Sequence, residues 1–154
     1  MTKIKVVAWD VEGTLIASKK KKDKKGKEVL PVETLRARTG ALEALTLIRS
    51  KKITQVIYCD GDLNGLKKKL NEAGIDWEAY INKFYKMPAK EKRDFSEIII
   101  EYQIEPQQLL VIGNDQDIDT VFAKRQGCQT LHVPEKGFRY PLDVNQIRQM
   151  IDSE

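Results

Sequence analysis

Short apolar runs alternate with amphipathic segments along most of the chain. Four of these runs are rich in β-branched residues and have the length of strands buried on both faces: residues 4–9, 56–59, 109–112 and 128–133. A weaker strand is predicted over residues 80–85. Leucine and isoleucine recur between the runs with helical spacing, which predicts helices around residues 42–49, 63–70, 95–102, 121–124 and 147–151. This order predicts an α/β protein, a three-layer Rossmann-like parallel sheet with helices on both faces.

One segment departs from this alternation directly after the first strand. Residues 15–18 and 29–31 are predicted to pair as a β-hairpin with a lysine-rich tip, and we call residues 15–31 the flap. No stretch has the composition of an interdomain linker. The sequence therefore predicts a single domain over residues 1–154.

The composition is that of an ordinary globular protein, with 41% hydrophobic and 32% charged residues. No run approaches the roughly 18 apolar residues of a membrane span, and the N-terminus lacks the features of a secretory signal. Cys59 and Cys128 lie in or beside apolar runs, which favours reduced, buried thiols over a disulfide. We therefore expect a cytoplasmic protein with no membrane partner.

The net charge of +4 originates in one part of the flap. Residues 19–27 contain seven lysines and one aspartate, so the rest of the chain is weakly acidic. The simpler interpretation is a solvated hairpin tip. Contact between Lys19–Lys27 and nucleic acid is the alternative, although the tip has no aromatic residue on which a base could stack.

Polar residues follow three of the predicted strands. Asp10 follows the first strand, Asp60 the second, and Asn114 and Asp115 the strand at 109–112. Ligands of open α/β sheets bind beyond the carboxyl ends of the strands. We therefore expect these side chains to converge on one crevice.

The segment after the first strand reads Asp-Val-Glu-Gly-Thr-Leu. A carboxylate at a strand end can attack phosphorus, and a second carboxyl group two residues on can protonate the leaving oxygen and later activate water. The motif resembles Asp-x-Asp-x-Thr, the first motif of the haloacid dehalogenase-like (HAD) hydrolase superfamily. The resemblance implies that Asp10 is the nucleophile and Glu12 the general acid and base, with Glu12 replacing the usual Asp. A strand followed by an Asx-type turn is the alternative without a catalytic role.

The second motif of this superfamily is a serine or threonine at the end of the next strand, where it hydrogen-bonds the transferring phosphoryl group. Relatives often read Ser-Asn-Gly-Asp where this chain has Cys-Asp-Gly-Asp. The resemblance therefore implies that Cys59, Asp60 and Gly61 bind substrate. A thiol is a weaker hydrogen-bond donor than a hydroxyl, so Cys59 would perform this role poorly. Cys59 as a small buried apolar residue is the alternative.

The third motif is a lysine that precedes the next helix and holds the nucleophile and the phosphate by charge. Counting back from Phe95 and Pro106 puts this position at Ala89 or its neighbour, so Lys90 is the lysine that the resemblance implies as catalytic. Lys92 is the second candidate and Lys86 the third.

The fourth motif lies in the acidic loop Gly-Asn-Asp-Gln-Asp-Ile-Asp, whose oxygen atoms suit a hard cation. The resemblance implies Mg²⁺ held by Asp10, Glu12, Asn114, Asp115 and Asp119. Asn114 stands where the superfamily usually has Asp, and Asp115 is the alternative ligand after a shift of one residue. An acidic loop that caps a helix is the interpretation without a metal.

Together the four motifs cover nearly the whole chain and resemble the small, capless phosphatases of this superfamily. The segments between the motifs leave no room for a cap domain. The resemblance implies a magnesium-dependent phosphomonoesterase that acts through an aspartyl-phosphate on a phosphorylated small molecule or macromolecule. An open site of this kind could also be covered by a second copy in a homo-oligomer.

Two other functions fit parts of the sequence. The substitutions at the second and fourth motifs fit a catalytically weak or inactive binding or regulatory protein. A receiver-like signalling domain fits poorly, because receivers place paired acids at the first strand and the phosphorylated Asp on the third.

Overall fold

The computed structural model describes residues 3–22, 28–87, 94–115, 120–134 and 140–152. These residues contain the strands β1 (Val6–Trp9), β2 (Ile16–Lys22), β3 (Glu28–Ala37), β4 (Thr54–Cys59), β5 (Lys83–Lys86), β6 (Leu109–Gly113) and β7 (Gln129–His132). Five of them form one parallel sheet in the order β5-β4-β1-β6-β7. The predicted α/β class and its parallel sheet are confirmed.

β1 lies at the centre of the sheet, where both of its faces are covered. In the register of the sheet, Val6 is level with Thr54 of β4 on one side and with Leu109 of β6 on the other. All four β1 residues are buried. This double burial explains why β1 is uniformly apolar instead of alternating with polar residues.

Helices cover both faces of the sheet: α1 (Ala41–Ser50), α2 (Leu63–Glu72), α3 (Ser96–Glu101), α4 (Phe122–Arg125) and α5 (Val144–Asp152). Successive β1 side chains point to opposite faces. Val7 and Trp9 belong to the core cluster built with α1, α2 and α5. Val6 and Ala8 belong to the cluster built with α3 and α4. The sheet therefore separates two apolar layers, as expected of a three-layer protein.

The buried side chain of Gln55 links its own strand, β4, to β1 and α1. The Trp9 indole donates to Gln55 Oε1 at 2.9 Å, and Gln55 Nε2 donates to the Leu45 carbonyl at 3.0 Å. The amide oxygen and the amide nitrogen of Gln55 each have a hydrogen-bond partner, so its burial costs little free energy. The contact fixes β1, β4 and α1 relative to one another directly below the end of β1.

β2 and β3 form a separate antiparallel pair in which Ile16 is opposite Ala37. β3 extends beyond the predicted flap boundary at residue 31, because Leu35 and Ala37 pack against the core. Residues 23–27, within the predicted lysine-rich tip, lie outside the described residues.

The crossover connections of the sheet are short. Between β3 and β4 the chain forms only α1, and between β4 and β5 it forms α2 and a 3-10 helix at Trp77–Ala79. All of these connecting residues are described, and none of them builds a cap. No helix among the described ranges is long and apolar enough to cross a membrane.

Candidate active site

Asp10 lies immediately after β1, at the carboxyl end of the central strand. Its backbone N–H donates to the Ile112 carbonyl of β6 at 2.9 Å, which extends the parallel ladder by one residue. The Thr14 hydroxyl donates to Asp10 Oδ2 at 3.1 Å, and Thr14 itself is fully buried. The half-buried carboxylate therefore has one oxygen held by a buried hydroxyl.

The loop after Asp10 turns back sharply on itself. The N–H groups of Thr14, Leu15 and Ile16 point to the Val11 carbonyl at 3.1, 2.9 and 3.2 Å. Gly13 makes this turn with φ +80°, a left-handed conformation that side-chain-bearing residues rarely adopt. The chain therefore turns sharply away from the end of β1 at this glycine.

A pocket of about 310 Å³ opens at the ends of β1 and β4, against the first turns of α2. Five residues predicted for the site line it together: Asp10, Glu12, Cys59, Asp60 and Gly61. The remaining lining residues are Val11, Asp62, Gly65, Leu66 and Lys69. Among these lining residues four carboxylates face one lysine, so the pocket walls carry net negative charge.

Glu12 reaches the pocket from the loop and makes an ion pair with α2. Lys69 Nζ lies 2.6 Å from Glu12 Oε1, and the two side chains are 41% and 64% exposed. An exposed pair of this kind contributes at most about 1 kcal/mol, so the Glu12 carboxylate can leave it easily. Nothing in the sequence distinguishes Lys69 from Lys67 and Lys68, and sequence analysis missed it.

Cys59 is the last residue of β4 and lies at the pocket wall with 8% of its surface exposed. Its carbonyl accepts from the Met87 N–H at 2.6 Å, which holds the end of β4 against the chain leaving β5. The structure thus places Cys59 at the position that the second motif predicts, although the thiol is mostly buried.

Asp62, at the rim of the pocket, caps the first turn of α2. It is the N-cap of α2, and its carboxylate accepts from the Asn64 N–H at 3.0 Å. A Cβ at Gly65 would lie 2.9 Å from Asp62 Oδ2, so a larger residue there would displace the cap. The cap fixes where α2 begins and therefore where Asp60 and Gly61 stand.

Asn114 follows β6, the neighbour of β1, and its carbonyl oxygen lies 3.1 Å from His132 Nε2. The exposed Asp115 comes next. Neither residue lines the pocket described above. The predicted residues Asp119, Lys90 and Lys92 lie outside the described residues. Within the described ranges, no three His, Cys, Asp or Glu side chains are grouped so that they could hold a metal ion.

The alternative lysine, Lys86, is exposed at the end of β5 and level with Cys59 in the sheet register. It is not among the residues that line the pocket. The third motif therefore stays a prediction centred on Lys90.

The chain combines three features. It has a five-stranded parallel sheet, an acidic residue at the end of the central strand, and an antiparallel strand pair directly afterwards. The chain has the fold of the haloacid dehalogenase-like hydrolases. The sequence itself matches no protein-family model, and no curated protein matches it significantly.

Solved structures with this fold cover most of the chain. A haloacid dehalogenase-like family hydrolase from Xanthomonas campestris is 13% identical with a TM-score of 0.71, over 96% of this chain and 91% of that one. A protein reported as a predicted phosphoglycolate phosphatase from Haemophilus somnus is 14% identical, with a TM-score of 0.65 over 96% and 92%. A HAD family hydrolase from Deinococcus radiodurans, solved with bound phosphate and sodium, is 15% identical, with a TM-score of 0.62 over 96% and 88%.

Proposed function

We propose that this protein is a phosphomonoesterase that acts through an aspartyl-phosphate on Asp10. The observation that carries the proposal is the position of this carboxylate, at the end of the central strand, in a pocket and hydrogen-bonded by Thr14. A carboxylate held in one orientation needs little reorganisation before it attacks phosphorus. The Haemophilus protein, a predicted phosphoglycolate phosphatase, and the Deinococcus hydrolase, solved with bound phosphate, support phosphate chemistry for this fold.

In the proposed reaction an Asp10 oxygen forms a bond to phosphorus while the bond to the leaving oxygen breaks. The leaving oxygen takes a proton from Glu12. Water then attacks the phosphorus of the aspartyl-phosphate, Glu12 accepts the proton of that water, and the bond between phosphorus and Asp10 breaks to release inorganic phosphate. Glu12 lines the same pocket as Asp10, and the weak, exposed pair with Lys69 leaves it free to perform both proton transfers.

The chemistry of the described residues fits a hard divalent cation. The pocket walls are acidic, so a phosphate dianion would be repelled without added positive charge. Asp10 and Asn114 follow neighbouring strands and offer carboxylate and amide oxygens, the ligands that Mg²⁺ prefers. Bound Mg²⁺ would neutralise the charge of the phosphoryl group. Glu12, Asp115 and Asp119 are the further proposed ligands, and Lys90 is the proposed second source of positive charge.

Among the described residues, the short connections after β3 and β4 build no cap over the pocket. An open site accommodates a phosphorylated small molecule and equally the phosphorylated end of a macromolecule. We therefore propose phosphomonoesters in general as the substrate class, with Cys59, Asp60 and Gly61 contacting the phosphoryl group.

The proposal is tested with para-nitrophenyl phosphate in the presence of Mg²⁺ and in excess chelator. Wild-type protein should release phosphate only with the metal, and Asp10→Asn should abolish turnover, since the nearly isosteric amide cannot serve as the anionic nucleophile. Asp76→Asn, at an exposed carboxylate away from the pocket, is the matched control and should retain full activity. Turnover by Asp10→Asn above a few per cent of the wild-type rate, or turnover in chelator, would refute the mechanism. No wild-type turnover on any phosphomonoester would instead favour a binding or regulatory protein.

A further inference from the structure

Arg38 is a buried cation for which the sequence predicted no role. It is the first residue after β3 and is only 2% exposed. Its guanidinium donates four hydrogen bonds, all to backbone carbonyls. Nε donates to Thr14 at 2.8 Å, Nη1 to Tyr140 at 2.6 Å, and Nη2 to both Pro134, at 2.8 Å, and Gly13.

Burying a guanidinium in this position costs desolvation free energy. Burial lowers the pKa of Arg38, but arginine stays protonated at any physiological pH, so a full charge is held away from water. Arginine suits the position because its planar, forked N–H groups can reach several carbonyls in fixed directions. The single ammonium of lysine cannot match these directions.

These contacts lead directly to the nucleophile. The Arg38 backbone N–H also donates to the Leu15 carbonyl at 2.8 Å, so Arg38 holds three consecutive carbonyls, from Gly13 to Leu15. The middle residue of the three is Thr14, whose hydroxyl donates to Asp10 Oδ2. The guanidinium thus fixes the backbone of the residue that orients the Asp10 carboxylate.

The same side chain connects this loop to the far end of the sheet. Pro134 follows β7, and Tyr140 precedes the turn that leads into α5. The Leu142 N–H, two residues on, donates to the Thr39 carbonyl beside Arg38 at 2.8 Å. The loop after β1 is therefore held between the hairpin and the segment that connects β7 to α5.

On the basis of the proposed function, we propose that Arg38 is a positioning residue for phosphoryl transfer, which acts through Thr14 to hold Asp10 in the orientation for attack. Arg38 does not touch the substrate in this proposal. Its removal should lower kcat much more than it changes KM, because the pocket would still bind the phosphate ester but present the nucleophile poorly.

The first experiment compares Arg38→Met, Arg38→Lys and the control Arg36→Met, at an exposed arginine two residues earlier on β3. At a temperature where circular dichroism shows each variant folded, Arg38→Met should lose roughly a hundredfold in kcat with KM within about threefold. Arg38→Lys should restore little of this loss, and Arg36→Met should match the wild type. A full kcat in Arg38→Met or Arg38→Lys would overturn the proposal. If Arg38→Met does not fold, Arg38→Lys replaces it throughout.

A double-mutant cycle separates positioning through Thr14 from a general effect on the fold. Thr14→Val removes the hydroxyl but keeps the side-chain shape. If Arg38 acts through this hydroxyl, the Arg38 substitution should cost little more in kcat once Thr14 is valine. Losses that multiply in the double variant would show that Arg38 acts by another route and would contradict the proposal.

Hydrogen exchange gives a readout that does not depend on turnover. In the Arg38 variant the amides of Thr14, Leu15 and Ile16 should exchange at least about tenfold faster, while those of Val56 and Ile57 in β4 stay protected. Unchanged exchange at the loop would overturn the proposal even in an active enzyme. An inactive wild type with the expected faster exchange would overturn the proposed function, yet would support Arg38 as the residue that holds this loop.

Discussion

Cys59 occupies the end of β4, where the resemblance of the second motif implies a hydroxyl. At 8% exposure the thiol is part of the apolar core as well as of the pocket wall. The two roles favour different residues. Core packing favours sulfur, whereas contact with a phosphoryl oxygen favours a hydroxyl, because a thiol donates weak hydrogen bonds.

Replacement of Cys59 by Ser should therefore raise turnover on a phosphate ester several-fold. A neutral hydrogen bond gained in the transition state is worth on the order of 1 kcal/mol. The melting temperature should fall slightly, because the hydroxyl is more polar than the thiol in a mostly buried position. Steady-state kinetics normalised to folded protein give the measurement, and unchanged or lower turnover in both Cys59→Ser and Cys59→Thr would count against a phosphoryl contact.

Cys128 provides the matched control for this substitution. It is buried in the layer formed with α3 and α4, on the other face of the sheet from the pocket. Burial raises the pKa of its thiol to about 11, so it should resist alkylation at pH 8, where the reactive thiolate is scarce. Cys128→Ser should lower stability and leave turnover per folded molecule unchanged.

At the scale of elements, two of the glycines with positive φ lie beside helix ends, and their surroundings differ. Gly74 follows α2 with φ +88°, and a Cβ there would meet nothing within 4 Å. Gly40 precedes α1 with φ +90°, and a Cβ there would lie 3.0 Å from the Leu142 carbonyl and 3.2 Å from Val144 Cγ2. Of these two glycines, Gly40 is the one that combines the left-handed backbone with close packing, because α1 lies against the segment entering α5.

The two alanine substitutions should separate these effects. Gly74→Ala should lower the free energy of unfolding by about 1–2 kcal/mol, the cost of a left-handed backbone with a Cβ. Gly40→Ala should lose a further ~1–3 kcal/mol, because the new methyl group presses against a backbone carbonyl. Urea denaturation of both variants measures the difference. Equal losses would mean that the Gly40 contact relaxes freely.

At the scale of the whole molecule, charge is divided between the flap and the pocket. The lysines of residues 19–27 supply more than the whole net charge of +4, whereas the pocket lining is acidic. A phosphorylated oligonucleotide could use both features, with its terminal phosphate in the pocket and its backbone near the flap lysines. A small phosphate ester could use only the pocket.

This difference predicts distinct responses to salt. For a 5′-phosphorylated oligonucleotide, log KM should rise with log salt by about 0.7 per phosphate contact, whereas KM for a small ester should change little. Replacing Lys24, Lys25 and Lys27 by Gln should flatten the oligonucleotide slope and spare turnover of the small ester. Identical salt responses of the two substrates in wild-type protein would argue that the flap is only a solvated tip.

Local patterns were enough to predict the sheet and the position of Asp10 at the end of its first strand. A run such as Val6–Trp9 has to be buried on both faces, and a parallel sheet is the arrangement that buries it. Because parallel strands end at a common edge, the sequence also predicted that Asp10, Asp60, Asn114 and Asp115 would meet there. Asp10 and Asp60 line one pocket, whereas Asn114 and Asp115 are not among its lining residues. The extension of β3 to Ala37 was missed, because it depends on packing of Leu35 against the core.

The contacts that shape the site were decided by the tertiary structure. Lys69 meets Glu12 across 57 positions of the chain, and Arg38 meets Tyr140 across 102. Long, flexible side chains have no periodic signature, and their partners depend on how the crossovers of the sheet bring loops together. The apolar pattern of this sequence therefore determines the strands and the edge where chemistry can occur, while only the folded chain determines which cation lies beside Glu12 and which one holds the loop of Asp10.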